Sequence, residues 1–356
     1  MRIAGAGMAG LVAAARLREL GCAVTVREKG TRIGGSMLLS SGVIWRHRDW
    51  EEFRGECPAG DERLQRLIWE RLDEAIEWLE SRGAPVDWDE TGNPRTVGKR
   101  FAPHGLAAAL AGEVELGSDG CADQPAILCT GGFAASPELV TRYVAPAAPL
   151  RLRANPWSQG DGLGAALARG AALTPGMDEF YGRNMPDASW DETEFVSLAQ
   201  LYARFARVFD EDGIEFFSPG KVSWSETNVV QATARRPGAR AYYLVGARAL
   251  EQRVRDRTVA QLVDAAPAES RVALHDLPFD PPEGTIAAVR VAAAITHTIG
   301  GLRVDERARV LGEDGDPLDG LWAAGVDAGG VSTGGYASGL AQALVLGLAA
   351  AEDAAR

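Results

Sequence analysis

The sequence predicts an α/β protein in which a smaller α+β domain interrupts a larger one, and three observations carry this prediction. Residues 1–28 read as a strand, a glycine-rich turn, a helix and a second strand. Residues 173–284 lose this alternation and are richer in aromatic residues and prolines. Residues 285–356 return to short apolar segments separated by glycines. We therefore expect 1–172 and 285–356 to form one domain and 173–284 to form the insertion.

The elements of the first 28 residues follow from their residue types. Met1–Ala4 is short and mostly apolar, and Leu11–Leu20 carries apolar residues at helical spacing. Ala23–Val26 reads as a second strand, which continues to Glu28. Between the first strand and the helix lies Gly-Ala-Gly-Met-Ala-Gly. A strand, a glycine turn, a helix and a strand that closes on an acid together indicate a Rossmann-like unit.

This unit predicts a dinucleotide-binding site. Gly5 permits the tight turn, Gly7 lets the backbone approach a pyrophosphate, and Gly10 lets the helix pack closely on the strand. The helix N-terminus offers N–H groups and a positive dipole end to the phosphates. Glu28 is placed to accept hydrogen bonds from a ribose. A glycine-rich turn without a ligand is the alternative, which the complete pattern disfavours.

Composition excludes several functional classes. The chain has 356 residues, of which 46% are hydrophobic and 24% charged, as in soluble globular proteins. Its net charge of −12 disfavours nucleic acid and anionic membranes as partners. Its longest apolar runs are too short to span a bilayer. The four cysteines and four histidines have no metal-ligand spacing, so no metal site is predicted. Because the nucleotide-binding strand begins at Met1, we expect no targeting peptide and a cytoplasmic location.

The spacing of apolar residues and the positions of glycines predict the later helices and strands. Apolar residues recur at helical intervals across residues 61–82, which we expect to form one helix. The other predicted elements are a helix at Leu106–Ala111, strands at Glu113–Leu116 and Ala126–Cys129, an alanine-rich helix ending at Ala172, a long amphipathic helix at Ala247–Ala265, a strand near 287–291 and a final helix at Gly335–Ala354.

Seven separated motifs resemble, in this order, those of one flavoprotein family. They are Gly5–Gly10, Glu28-Lys29, Gly34-Gly35-Ser36, Thr130–Phe133, Gly160-Asp161-Gly162, Thr296–Gly301 and Gly325–Gly339. The family includes the flavoprotein subunits of fumarate reductase and succinate dehydrogenase, the 3-ketosteroid dehydrogenases and related FAD-dependent dehydrogenases. The resemblance implies FAD as the cofactor, bound in an extended form by a Rossmann-like domain, and a cap (substrate) domain that closes over the flavin ring.

The resemblance also implies which residues contact the FAD. The backbone around Gly34–Ser36 would face the flavin ring, and Asp327 would bond a ribityl hydroxyl. The start of the last helix would point at the ring, where its dipole stabilises an anionic reduced flavin. The predicted cofactor-binding residues are Gly5, Gly7, Met8, Ala9, Gly10, Glu28, Lys29, Gly34, Gly35, Ser36, Ser41, Gly42, Thr130, Gly131, Gly132, Asp161, Gly325, Asp327, Gly335, Tyr336, Ser338 and Leu340.

The chain departs from the family pattern in two places. Gly112–Pro125 is shorter than the corresponding segment, so we expect a trimmed β-hairpin and a more open adenine end. Fumarate reductases carry an arginine proton donor in the cap and another arginine near the C-terminal glycines. Here Gly334–Gly339 contains no arginine, and Ser225–Asn228 occupies the stretch where the donor is expected. The expected small-molecule substrate is therefore a bulky enone or ketone rather than fumarate.

Four residues are candidates for catalysis. By resemblance, His297 binds the substrate carbonyl or carboxylate; the alternative is a histidine that supports backbone beneath the cofactor. Tyr336 would polarise a ketone or remove a proton, or else pack against the ring for shape alone. Tyr181 and Arg183 lie beside Gly182 in a predicted loop, where Arg183 would clamp a carboxylate. An interdomain or surface role is the alternative for both.

The resemblance implies an enzyme, an FAD-dependent dehydrogenase or reductase that acts on CH–CH groups. It would transfer a hydride between flavin N5 and a carbon–carbon bond next to a carbonyl or carboxylate, with an electron donor or acceptor that the sequence does not identify. Three alternatives stay open from the residues: a flavin oxidase that uses oxygen, a catalytically inactive FAD-binding scaffold, and an NAD-binding dehydrogenase.

Overall fold

A computed structural model describes residues 1–118, 121 and 126–356, and these divide into two compact units. The first unit comprises 1–139, 154–179 and 297–356, and the second comprises 140–153 and 180–296. The insertion predicted at 173–284 therefore differs from the second unit at both ends. The second unit includes 140–153, because the strand Arg151–Leu152 pairs with the long strand Thr285–Thr298. Its main part starts at 180 with the strand Phe180–Pro186, which also pairs with the long strand, and ends at 296 within that strand.

The first unit is built on a six-stranded sheet. Its N-terminal strand lies centrally and is parallel to both neighbours, with Ile3 opposite Val26 on one side and Ile127 on the other. These strands are short and apolar, as expected for a parallel sheet buried on both faces. The strand order is Arg309–Leu311, Pro317–Ala323, Ala126–Leu128, Arg2–Ala4, Thr25–Glu28 and Glu115–Leu116. The predicted strand–helix–strand unit is thus confirmed, with a hairpin at one edge of the sheet.

The trimmed hairpin predicted at Gly112–Pro125 is described only in part. Glu115–Leu116 forms an edge strand beside Thr25–Glu28. Residues 119–120 and 122–125 lie outside the described part of the chain, so the rest of this prediction is not tested.

The helices of the first unit cover its sheet and bury apolar faces. Asp61 caps the helix Glu62–Ser81 by accepting bonds from the N–H groups of Arg63 (2.9 Å) and Leu64 (3.3 Å). The final helix is almost entirely buried and packs on the first one, where Gly347 meets the carbonyl of Ala9. The α-helices of this unit are Met8–Glu19, Trp50–Glu56, Glu62–Ser81, Pro103–Leu110, the single turn Pro137–Leu139, Asp161–Leu167 and Gly339–Ala354.

A second sheet of the first unit has three antiparallel strands in the order Val43–His47, Thr96–Phe101 and Val86–Trp88. Gly98 lies opposite Trp45 at a φ of +146°, and a Cβ there would lie 2.1 Å from the carbonyl oxygen of Ile44. These three strands were not among the predicted elements, because they are short and alternate only weakly between apolar and polar residues.

The second unit is built around the long strand Thr285–Thr298. Its main sheet runs in the order Glu215–Phe217, Arg207–Phe209, Arg240–Gly246, Thr285–Thr298 and Arg271–Val272, and Arg151–Leu152 and Phe180–Pro186 also pair with the long strand. One face packs on the short helices through a core that includes Tyr202, Val229, Tyr243 and Leu262. The helices are the π-helical turn Val140–Val144 and the α-helices Thr227–Ala234, Ala247–Leu250 and Val259–Ala265.

The prediction of one long helix at Ala247–Ala265 is wrong. A single turn ends at Leu250, and a two-stranded hairpin follows, with Arg253–Val254 paired to Arg257–Thr258. Arg255 has a φ of +56° in the turn of this hairpin, which breaks any continuous helix. Thr258 then starts the next helix with a capping box that it forms with Gln261. The Thr-x-x-Gln spacing is the signal that marked this new helix start.

In the described part of the chain, no helix combines the length and the apolarity needed to cross a membrane.

Candidate functional site

The N-terminal glycine turn has the geometry that its motif predicts. Gly5 has a φ of +99°, and a Cβ there would lie 2.2 Å from the carbonyl oxygen of Cys129. A Cβ on Gly10 would lie 1.9 Å from the carbonyl oxygen of Gly5. Both positions therefore require glycine for backbone packing. A Cβ on Gly7, by contrast, would meet no described atom within 4 Å, so the space above Gly7 is open.

The first helix starts at this open space. It has neither a side-chain cap at Gly7 nor an acidic residue in its first turn. Met8 and Ala9 form that turn, and both side chains are buried, so they can offer a ligand only backbone groups. An uncapped helix N-terminus favours a phosphate group through its N–H donors and its dipole. The open space and the uncapped helix end together fit the pyrophosphate of a dinucleotide.

Glu28, the last residue of the strand Thr25–Glu28, binds the backbone of the glycine turn. Its carboxylate accepts one bond from the N–H of Ala6 and one from the N–H of Gly30, each 2.7 Å long. Each carboxylate oxygen can accept a further bond, so a ribose contact is compatible with this arrangement. The structure shows in addition a structural role, because Glu28 ties the ends of the glycine turn and the second strand together.

The loop Gly34–Ser36 lies directly beside the glycine turn. The N–H of Gly34 bonds the carbonyl of Ala6 at 2.7 Å, and a Cβ on Gly35 would lie 3.1 Å from the Cα of Gly7. Ser36 Oγ accepts bonds from the backbone N–H (3.1 Å) and the side-chain amide (2.7 Å) of Asn155. Asn155 is a buried residue that sequence analysis missed; its place in Asn-Pro-Trp-Ser was read only as a helix start.

Two predicted cofactor contacts pair with each other. Lys29 Nζ lies 3.0 Å from Asp161 Oδ2 and 2.9 Å from Gln159 Oε1. Asp161 also begins the helix Asp161–Leu167, after Gly160 in the left-handed conformation. The structure thus brings Lys29 and Asp161 together, and any contact of either residue with FAD stays a prediction.

A buried carboxylate holds the Thr130–Gly132 turn. Asp327 is 1% exposed and accepts bonds from the N–H and hydroxyl groups of Thr130 and from the N–H of Gly132, the last at 3.0 Å. Burial raises the pKa of Asp327 above its ordinary value, although these donors offset part of the effect. Asp327 therefore holds the turn, and its contact with a ribityl hydroxyl stays a prediction.

Other predicted contacts have packing roles in this geometry. Gly131 has a φ of +90° and lies beside Ser158, and Gly325 has a φ of +67° and lies against Ala9. A Cβ on Gly42 would lie 2.0 Å from the carbonyl oxygen of Phe101, so this glycine serves the contact between two strands. Ser41 accepts a bond from Arg100 through its carbonyl oxygen.

The start of the last helix is fixed by side-chain bonds. Ser338 caps it, with Oγ 3.2 Å from the N–H of Ala341, while Leu340 is half-buried in its first turn. Gln342 donates to the carbonyls of Gly325 (2.8 Å) and Ala328 (2.6 Å), which ties the helix to the preceding loop. Sequence analysis missed Gln342, although a lone polar residue in an otherwise apolar helix was a signal for it.

His297 and Tyr336 flank this helix start. Gly339 leaves room for the His297 ring, since a Cβ there would lie 3.1 Å from Nε2. His297 Nδ1 is 3.1 Å from the carbonyl oxygen of Thr298, and burial lowers the pKa of His297 below its ordinary value. The ring is therefore neutral near pH 7 and carries its proton on Nδ1 toward Thr298. The half-buried Tyr336 ring lies 5.6 Å from the ring of Trp45.

The segment around Tyr336 is packed against the strand and helix near residue 50. Gly335 is indispensable there, because a Cβ would lie 1.8 Å from the carbonyl oxygen of Glu56. Burial lowers the pKa of His47 below its ordinary value, and the nearby backbone of Tyr336 offsets only part of this effect. His47 was not predicted to have a role; its ring lies 5.3 Å from the ring of Trp45, which in turn neighbours Tyr336.

Tyr181 and Arg183 belong to the second unit, where they interact with each other. The Arg183 guanidinium carbon lies 4.9 Å from the centre of the Tyr181 ring, and Arg183 donates to the carbonyl of Ser225. Arg183 is 8% exposed, so it is not the loop residue that was predicted. The loop prediction failed because Gly182 serves strand packing: a Cβ there would lie 2.0 Å from the carbonyl oxygen of Ala294.

Comparisons with known proteins agree with this arrangement. A family model described as an FAD binding domain matches residues 3–118 and 106–340. The chain belongs to the FAD binding domain family. The predicted resemblance and the FAD cofactor are thereby confirmed. That the N-terminal turn, Gly34–Ser36 and Thr130–Gly132 contact this cofactor stays a prediction.

Individual relatives point the same way. The chain is 22% identical to a probable fumarate reductase of Shewanella frigidimarina, over 99% of this chain and 74% of the relative. It is 23% identical to an NADH:fumarate oxidoreductase of Klebsiella pneumoniae, over 99% of this chain but only 47% of the relative. The solved structure of a 3-ketosteroid Δ4-(5α)-dehydrogenase from Rhodococcus jostii matches with a TM-score of 0.72 at 19% identity, over 100% of this chain and 96% of that one. This last match confirms the predicted fold class, and the relatives support the prediction of an FAD-dependent oxidoreductase that acts on carbon–carbon bonds.

Proposed function

We propose that this protein is an FAD-dependent enzyme that dehydrogenates or reduces a carbon–carbon bond adjacent to a carbonyl or carboxylate. One observation carries the proposal: His297 and Tyr336 flank the start of the final helix, in the same unit that holds the dinucleotide turn. When bound, FAD supplies the hydride-transfer chemistry. The remaining requirements, which are to bind the substrate oxygen and to manage one proton, fall to side chains of the protein.

His297 is suited to the first requirement. A neutral imidazole can donate or accept a single hydrogen bond without adding a charge to the site. The bond from Nδ1 to the carbonyl of Thr298 fixes the ring orientation, and the absent side chain of Gly339 gives it space. We assign to His297 the binding of the substrate oxygen.

Tyr336 is suited to the second requirement. Its phenol can polarise a ketone or exchange a proton, and Trp45 and His47 restrict its position from the neighbouring strand. The C-terminal motif Gly334–Gly339 contains no arginine that would favour a dicarboxylate. The proposed substrate class is accordingly a bulky enone or ketone. The roles of Tyr181, Arg183 and the second unit in substrate binding remain predictions.

Anaerobic flavin bleaching tests the catalytic assignment. We expect a ketosteroid or a cyclic enone–ketone pair to change the flavin absorbance, and short carboxylic acids to do so poorly. His297→Ala and Tyr336→Phe should retain flavin but slow the change roughly a hundredfold or more. His275→Ala, at an exposed histidine of the second unit, is the matched control and should behave as wild type. Wild-type rates in both site variants would remove these residues from the mechanism.

Flavin retention tests the cofactor site separately. Gly7→Ala places a methyl group in the open space and should give a folded protein that is purified with little FAD. Gly55→Ala, at another glycine of the first unit with no described atom near its Cβ position, should keep the FAD. Full flavin content in Gly7→Ala would show that the open space is not where the pyrophosphate binds.

A further inference from the structure

The second unit contains a cluster of three arginines around one carboxylate. Asp187 is buried, with its side chain 4% exposed. Arg151 Nη2 lies 3.0 Å from Oδ1, and Arg240 Nε and Arg290 Nε lie 2.8 Å and 2.9 Å from Oδ2. Burial raises the pKa of Asp187, but the three guanidinium groups outweigh it and hold the pKa below the ordinary value. Asp187 is therefore ionised at neutral pH.

Strand pairing places the three arginines on the same face of the sheet. Arg290 lies on the long strand, and Ala292 and Ala294 follow at intervals of two residues. Arg240 is opposite Ala292, and Arg151 is opposite Ala294. Because side chains at i, i+2 and i+4 of a strand share a face, as do directly paired residues, the three arginines project to one side. The backbone N–H of Asp187 bonds the carbonyl of Arg290 at 2.9 Å, which fixes the carboxylate over this face.

The cluster has more positive charge than its carboxylate neutralises. Three guanidinium groups and one carboxylate leave a charge of +2, whereas the whole chain carries −12. The arginine side chains are 44%, 39% and 37% exposed, so their remaining nitrogens reach solvent. Each guanidinium has five N–H donors; Arg151 and Arg240 each donate one hydrogen bond to Asp187, whereas Arg290 is paired with it by charge alone. The three like charges repel one another, and a second anion between them would reduce this repulsion.

We propose that Arg151, Arg240 and Arg290 form a binding site for a phosphate group. Guanidinium groups recognise phosphate through paired, charge-assisted hydrogen bonds. The excess of +2 matches the charge of a phosphate monoester or of inorganic phosphate at neutral pH, whereas a single carboxylate would leave one positive charge unmatched. The site lies wholly within the second unit, is formed by segments far apart in sequence, and does not rest on the proposed function.

Calorimetric titration of the FAD-loaded protein tests this proposal, since bound FAD keeps phosphates out of the dinucleotide site. Inorganic phosphate and adenosine monophosphate are titrated separately at constant ionic strength, with chloride as the reference salt. We expect saturable binding of at least one of them. Tighter binding of adenosine monophosphate would assign the site to an organic phosphate, and equal binding would assign it to the free ion.

Variants separate a binding role from a structural one. Arg151→Ala and Arg240→Ala should weaken phosphate binding about tenfold or more, because each removes charge-assisted bonds. Asp187→Asn removes the competing anion and should tighten binding, which a purely structural role would not produce. Arg207→Ala, at a half-exposed arginine of the same sheet that pairs with Glu215, is the matched control. Absence of saturable binding, or equal affinity in wild type, Arg151→Ala and Arg240→Ala, would overturn the proposal.

Discussion

Glu226 should make the protein less stable as the pH rises. This residue is 4% exposed and precedes the helix Thr227–Ala234 with a φ of +57°. Burial raises the pKa of Glu226 from 4.5 to about 7, although Arg183 and Arg204 offset part of the effect. A carboxyl group whose pKa is higher in the folded than in the unfolded state favours folding only while it is protonated.

The magnitude follows from the two pKa values. At 1.36 kcal/mol for each pKa unit, a rise from 4.5 to about 7 corresponds to about 3 kcal/mol. This stabilising contribution is fully present below pH 4.5 and is lost as the pH rises through 7. Roughly 2–3 kcal/mol of the loss falls between about pH 5 and about pH 8. Glu226→Gln has no proton to lose, so it should lack this part of the pH dependence.

Urea unfolding of the FAD-loaded protein at about pH 5 and about pH 8 measures the effect. The free energy of unfolding of Glu226→Gln relative to wild type should increase over this range by roughly 2–3 kcal/mol. Histidines contribute equally to both proteins and cancel in the comparison. Hydrogen bonding to Arg207 lowers the pKa of Glu215, so Glu215→Gln should show the wild-type pH dependence above pH 5 and serves as the control. Parallel pH profiles for wild type and Glu226→Gln would refute the reasoning.

Three further predictions concern the first unit. Asp327→Asn should lower the free energy of unfolding by about 1–3 kcal/mol and reduce flavin retention. The new amide would place N–H groups against the N–H and hydroxyl donors of the Thr130–Gly132 turn. An unchanged urea midpoint would contradict this role of Asp327. Burial raises the pKa of the Cys57 thiol, so iodoacetamide should modify the half-buried Cys22 first in the native protein. If mass spectrometry finds Cys57 modified first, the packing described around Cys57 is wrong. The NMR signal of the His297 ring should titrate below the ordinary value of 6.5, because burial lowers its pKa; titration at or above 6.5 would show an open environment.

The sequence predicted best those parts of the fold that depend on local chemistry. Gly10 is required by its contact with the carbonyl of Gly5, within the same strand–turn–helix unit, so the glycine spacing is a local signal. Gly5 is required by the carbonyl of the distant Cys129, but its place in the motif still identified the turn. The helix Glu62–Ser81 likewise has its cap at Asp61 and its apolar stripe within 20 residues. Where the determinants lie close together along the chain, pattern and structure agree.

Contacts between distant segments could not be predicted in this way. Gly182 was predicted to be a turn residue, whereas glycine is required there because the carbonyl of Ala294, on another strand, leaves no room for a side chain. Asp327 was predicted as a ligand contact, while its hydrogen bonds to Thr130 and Gly132, nearly two hundred positions earlier, could not be predicted. The arginines around Asp187 lie far apart in sequence, and only strand register shows that they share one face.

The order of the first unit's strands constrains how the protein is made. Ala126–Leu128 lies between Arg2–Ala4 and Pro317–Ala323, so one neighbour of this strand is synthesised well before it and the other well after it. Until Pro317–Ala323 has left the ribosome, the sheet has an unpaired apolar edge and Asp327 is not available to the Thr130 turn. Nascent chains should consequently depend on chaperones to protect that edge, and flavin should be incorporated only after Asp327 has emerged.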